Sequence, residues 1–230
     1  MGALLAAGYD RPFAELECNP VVRPAPSMAS PGGWRAIRCL AHGRQVRLPA
    51  GAQLDFGGIA KGWAADTAVL RLAEQGAALV DVGGDIAVSG PQADGTGWPI
   101  GLPHPLRPAE QIALLWLAGG GVATSGRDLR RWQAGGVEQH HIIDPRSGLP
   151  AQTDVISATV IGPSAADAEV AAKAALILGS RAGIGWLDQR PLFAGMVVCA
   201  DGSVVENRRW REYRWPSGAN APVLENVCAE

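Results

Sequence analysis

Lysine is nearly missing from this chain of 230 residues: Lys61 and Lys173 stand against 18 arginines. An excess of charge is missing too, since the formal net charge is −2. Without a basic field, nucleic-acid binding and electrostatic attachment to a membrane are not expected as main functions. No uninterrupted apolar run reaches about 18 residues, so no transmembrane segment is expected. The four cysteines, Cys18, Cys39, Cys199 and Cys228, form no CxxC pair, and none stands near a histidine at zinc-finger spacing. They predict neither a zinc site nor a disulfide framework, and read as small buried hydrophobes or inert surface groups. The opening MGALLAAG is apolar but short and has no basic flank. It reads as a helix end packed in a core rather than a secretory signal, and the expectation is a cytoplasmic chain.

What is present is a globular, turn-rich composition, 47% hydrophobic with 30 glycines and 17 prolines. A chain of this size buries a core without disulfides or a structural metal. Residues 19–33, rich in Pro, Ser, Ala and Gly, read as a loop, and residues 35–48 as one or two strands. Residues 54–76 open with glycine and continue as a helix whose apolar face is Ala65, Ala68, Val69, Leu72 and Ala73, with Gly76 as its C′ residue. Strands are expected over 78–82, 86–88, 98–102, 112–117 and 155–161, the last with Ile156, Ala158 and Val160 on one face. Residues 166–178 read as a helix that points Val170, Ala174, Ile177 and Leu178 inward. Residues 196–199 and 204–206 form a hairpin through Asp201-Gly202, and the tail from Tyr213 is expected to be loosely held. Strands that meet at hairpin-like turns, with two helices among them, give an α+β fold of mixed, mainly antiparallel sheets. The expected organisation is one domain over residues 1–230.

Two stretches carry chemistry. In DFGGIAKGWAAD, residues 55–66, a strand ends, Gly57 and Gly58 let the backbone turn closely, and a helix begins with Lys61 in its first turn. Free N–H groups at a helix start, with an added ammonium, suit an anion. The glycine spacing is not that of a P-loop. Taken alone, the pattern reads as a tight strand-to-helix turn with a solvated lysine. The second stretch is VATSGRDLRRW, followed by HHIIDPRSGLP, residues 140–150. A histidine beside an Asp-Pro turn suits a base near neutral pH. Asp144 itself reads as the turn former.

Taken together, these segments resemble the flavin transferase family, the FAD:protein FMN transferases of the ApbE type. The match includes LDFGGIAKGWAADTA, LVDVGGDIAVSG, VATSGRDLRRW, HHIIDPRSGLP, ISATVIGPSA and VVCADGSVVENRRW, in order. The resemblance implies transfer of FMN from FAD to a threonine or serine hydroxyl of an acceptor flavoprotein, with release of AMP. It implies that Gly57, Gly58 and Lys61 hold the pyrophosphate, that Lys61 also stabilises developing charge, and that His141 is the base. Asp66 would support the motif helix or its contact with the cofactor, and Thr67 and Ile142 lie where the family touches FAD. Two alternatives share the site: an FAD pyrophosphatase that gives FMN and AMP, and a catalytically degenerate FAD-binding protein. Oligomerisation stays open.

The family's magnesium would be held by the carbonyl of Ala64 and by two residues four apart on the later helix. Aligned on Leu178-Gly179, these are Glu169 and Lys173, where the family has Asp and Thr; a register two residues earlier supplies Asp167 with Ala171. The lysine departs from the pattern. Either Glu169 and Lys173 form an ordinary i, i+4 pair, or the ammonium partly replaces the ion's charge. A further departure is the N-terminal part of the family, which includes aromatic segments that grip the flavin ring and precedes the point where this sequence opens. Members of the family are often exported or anchored on the periplasmic side.

Overall fold

The computed structural model describes residues 2–9, 11, 13–16, 33–40, 44–128, 130–134 and 136–215. In chain order the elements are α1 (Gly2–Ala6), β1 (Arg38–Leu40), β2 (Gln45–Arg47), α2 (Ala60–Leu72), β3 (Leu79–Val82), β4 (Asp85–Val88), β5 (Trp98–His104), β6 (Arg107–Leu117) and β7 (Gly120–Gly126). They continue with β8 (Arg131–Ala134), β9 (Val137–His140), β10 (Ile143–Asp144), β11 (Leu149–Pro150), β12 (Val155–Gly162), α3 (Ala165–Leu178), α4 (Ser180–Asp188), β13 (Ala194–Cys199) and β14 (Val204–Glu206). Two compact units result: Met1–Phe56 with Leu129–Gln152, and Gly57–Asp128 with Thr153–Glu230.

The second unit is built on a six-stranded sheet in the order β14-β13-β12-β7-β4-β3, antiparallel at every pairing. Helices α2, α3 and α4 pack against this sheet. The long β5–β6 hairpin shares a core with it through Ile86, Val122, Ile161, Met196, Leu115 and Trp210. Strand β12 lies mid-sheet and all eight of its residues are buried. A strand covered on both faces is a continuous apolar run. The expected face of Ile156, Ala158 and Val160 is therefore one of two buried faces.

The first unit consists of short antiparallel hairpins, β1–β2, β8–β9 and β10–β11. Its core is Ala7, Leu16, Trp132 and Ala134, and the indole N–H of Trp132 donates to the Ala7 carbonyl at 2.9 Å. The apolar N-terminal stretch forms α1, and Ala7 just after it joins this core while Leu5 is exposed. Cys39 is exposed and Cys199 buried, both free. Cys18, Cys228 and most of the 19–33 loop fall outside the described residues.

The α+β architecture agrees with expectation, and three local expectations are corrected. First, α2 spans Ala60–Leu72 and closes on Ala73 in right-handed conformation, so Gly76 is not its C′ residue. It buries Gly62, Ala65 and Val69, while Leu72 is exposed. Second, α3 buries Ala165, Ala168, Ala171, Ala172 and Ala175 with Glu169 and Leu176, leaves Val170 exposed, and leaves Ala174, Ile177 and Leu178 half-buried. Val170, Ala174, Ile177 and Leu178 were expected inside; small residues fill much of the buried face instead, because α3 lies close against α2 and β7. A Cβ on Gly62 of α2 would stand 2.6 Å from the Ala165 carbonyl carbon, and a Cβ on Gly121 of β7 would overlap the Ala165 backbone. Third, the chain at 213–215 is anchored: the Trp215 N–H donates to the Leu114 carbonyl at 2.9 Å, and its ring packs on Trp116 at 4.7 Å. The rest of the tail lies outside the described residues.

This packing predicts opposite signs for two glycine-to-alanine changes. Gly62→Ala forces backbone against backbone and is expected to destabilise by about 1–3 kcal/mol. Gly185→Ala, inside α4 where no atom lies within 4 Å of the added methyl, is expected to stabilise by about 0.5–1 kcal/mol. Urea denaturation of both variants reads the two signs.

Candidate active site

The glycine–lysine turn delivers the chain from Gly57 into α2, where Lys61 is the second helical residue. Its ammonium lies 2.6 Å from Asp85 Oδ2 and 3.4 Å from the Gly83 carbonyl. Asp85 is the first residue of β4 and is 1% exposed. The hairpin before it explains why. Val82 pairs with Asp85 across Gly83 and Gly84, whose φ values are 61° and 88°. A two-residue turn with both central residues left-handed matches strand twist and suits glycine. The GGD segment thus sets a carboxylate at the strand's start, opposite the lysine. The sequence pattern alone did not mark Asp85. The available signal was one acidic residue opening an otherwise apolar strand.

Helices α2 and α3 cap each other. Both oxygens of Asp66, on α2, accept N–H groups at the start of α3, from Ala165 at 2.8 Å and Ala166 at 3.0 Å. In return Glu169 Oε2, on α3, accepts the Gly62 N–H at the start of α2 at 2.9 Å. No side chain of α2's own N-cap residue, Ile59, does this. A buried helix end needs such partners. Asp167, the acid of the alternative register, is exposed and bonds with the N-cap Ser164. Glu169 is therefore the acid that faces the turn.

Lys173 reaches the same turn from α3. A Cβ on Gly58 would stand 2.9 Å from Lys173 Cε and would overlap Nζ. A larger residue at position 58 would push the lysine end aside. Two ammonium groups and two carboxylates, Lys61, Lys173, Asp85 and Glu169, are gathered at the mouth of α2. Burial pushes the Asp85 carboxyl above its ordinary 3.8, against the hydrogen bond and charge of Lys61. Burial also pushes Glu169 above 4.5, with the Gly62 N–H and both lysines pulling the other way. Of the other sequence-derived candidates on α2, Ala64 is half-buried, and the Thr67 hydroxyl donates to the Trp63 carbonyl at 2.8 Å.

These residues do not fit a magnesium ion. Mg²⁺ takes hard oxygen ligands in octahedral geometry. Here one oxygen of Glu169 already accepts a backbone N–H, and an ammonium lies over the turn. Among the described residues, no three His, Cys, Asp or Glu side chains gather to hold a metal.

His141 and Ile142 belong to the first unit. The two adjacent histidines differ in their bonds. His140 is buried; its Nε2 lies 3.0 Å from the Ala151 carbonyl and its Nδ1 accepts the Ile142 N–H at 3.3 Å. Both ring nitrogens are committed to backbone, which fixes one tautomer. His141 is half-buried, and Ile142 is 2% exposed. Asp144 does form the turn: its carbonyl accepts the Gly148 N–H at 2.8 Å, and its carboxylate pairs with Arg146, which holds it below the ordinary carboxylate range. Arg127 of the SGR segment is a strut, donating to the carbonyls of Val155 and Thr153 at 2.8 and 3.0 Å.

The raised carboxyls give a pH dependence of definite sign. A group that holds its proton more tightly when folded stabilises fully below its unfolded value and loses that stabilisation as pH rises through the folded value. Glu169→Gln keeps an acceptor for Gly62 and removes the titration. The stability of this variant relative to the parent is expected to rise between about pH 4 and 7. Thermal unfolding across that range would contradict the burial argument by showing a flat or falling difference. Lys61→Met, which leaves buried Asp85 without its counter-charge, is expected to cost about 1–3 kcal/mol near neutral pH.

Residues 24–196 match the model of the ApbE family. The chain is 34% identical over 183 residues to the FAD:protein FMN transferase of Treponema pallidum, covering 72% of this chain and 51% of that one. It is 36% identical over 158 residues to that of Klebsiella pneumoniae, covering 67% and 48%. The chain thus spans about half the length of these curated relatives. Among solved structures, the ApbE protein of Thermotoga maritima superposes with a TM-score of 0.77 at 26% identity, covering 93% of this chain and 70% of that one. The flavinyl transferase ApbE of Pseudomonas stutzeri gives 0.65 at 25%, covering 92% and 71%. With the glycine–lysine turn, the double-glycine hairpin and the paired histidine and Asp-Pro segments all in place, the chain belongs to the ApbE family.

Proposed function

We propose that this chain transfers FMN from FAD to a threonine or serine hydroxyl of an acceptor flavoprotein. The observation that carries this reading is Lys61, held by buried Asp85 at the first turn of α2, directly after the glycines. First-turn N–H groups and a fixed ammonium suit the oxygens of a pyrophosphate. In the reaction, the acceptor oxygen bonds to the flavin-side phosphorus, the bond from that phosphorus to the bridging oxygen breaks, and AMP departs with the bridging oxygen. The hydroxyl proton goes to His141. The backbone bonds of His140 support this choice between the two histidines. Lys61 offsets the charge that develops on the phosphoryl oxygens. No step runs through a metal ion.

Incubation of the purified chain with FAD and a threonine-bearing acceptor domain, with and without Mg²⁺, is expected to give a covalently flavinylated, fluorescent band and one AMP per flavin attached. His141→Ala is expected to lower the transfer rate about 10²–10⁴-fold while FAD still binds. AMP without acceptor would instead identify hydrolysis of FAD. FAD binding with neither product would identify a binding module.

A further inference from the structure

The disagreement between these residues and a magnesium site has a consequence for how the ligand is held. Lys173 stands on the third turn of α3, a helix fixed against α2 by the Asp66 and Glu169 caps. Its ammonium is brought to Gly58, where a Cβ on the backbone would overlap it. Glu169, four residues earlier, is 5% exposed and is engaged with the Gly62 N–H. The acid nearest the turn is thus bonded to the helix start, and the charge laid over the turn is a monovalent cation attached to the chain. A lysine in this position offers three N–H donors that a phosphate oxygen accepts directly. A divalent ion would be repelled by that ammonium, and one oxygen of Glu169 is already taken by a backbone N–H.

We infer that Lys173 takes the place of the divalent cation. This chain grips the pyrophosphate of FAD with the ammonium groups of Lys173 and Lys61 and with backbone N–H groups, without Mg²⁺. The inference rests on the flavin reading above. It gives Lys173 a binding role: the phosphate oxygens nearest Gly58 accept from its Nζ. Lysine's scarcity in the chain accords with this, because both lysines stand at the same turn.

Titration of the full chain with FAD and with ADP, followed by calorimetry in EDTA and again in millimolar Mg²⁺, tests it. The expected dissociation constants differ by no more than about twofold between the two conditions, for both probes. In EDTA, Lys173→Met is expected to weaken both probes about tenfold or more, while Lys173→Arg, which keeps the cation, retains most of the affinity. Thermal unfolding of each variant shows whether it is folded. Binding that requires Mg²⁺, or full affinity in a folded Lys173→Met variant, overturns the inference and leaves the flavin reading standing. If FAD binds under neither condition, the flavin reading fails and the inference fails with it.

Discussion

The reciprocal capping of α2 and α3 is the constraint on which the rest of the larger unit depends. Asp66 takes two N–H groups at the start of α3 and Glu169 takes the Gly62 N–H at the start of α2, so neither helix moves without breaking the other's cap. The crossing is tight because glycine and alanine meet there: Gly62, Gly121 and Ala165 leave no room for an added methyl group. That tightness brings Lys173 from one helix onto the turn that opens the other. The site's charges are thereby a property of the packing and not of one loop.

The same arrangement explains why two carboxylates with raised proton affinity stand beside two lysines. Each acid is buried for a structural reason, Asp85 at a strand start below a left-handed glycine pair and Glu169 at a helix start. Burial disfavours their charge, and the lysines partly restore it. The four groups balance, so the turn carries fixed charges of both signs before any ligand arrives. A phosphate oxygen there meets cations whose positions are already set, which is the economy of a preorganised site.

Much of the fold was legible in the sequence because its turns are chemically explicit. The Gly83-Gly84 and Asp201-Gly202 hairpins, the alternating strands and the two helices all follow from residue type and period. The buried face of α3 was not, because apolar size points to Val170 and Ile177, whereas close packing selects the alanines. Strand β7 was missed as well: GGVATSG has little to mark it as central, and its place between β12 and β4 comes from pairing partners far away in sequence. Within the site, Lys61 and the glycines stood out by motif. Asp85 did not, since its role depends on a lysine 24 positions earlier and on a sheet that brings the two together. His140 and His141 are equivalent by composition; the resemblance alone points to His141, and the burial and backbone bonds of His140 accord with that choice.

Amide hydrogen exchange, with and without FAD, tests most directly whether this capped turn is where the ligand sits. In the free chain the Gly62, Ala165 and Ala166 amides should exchange slowly, because the two carboxylates hold them. Addition of FAD should then slow exchange through residues 57–61. Protection that appears elsewhere in the larger unit and leaves residues 57–61 unchanged would contradict the account.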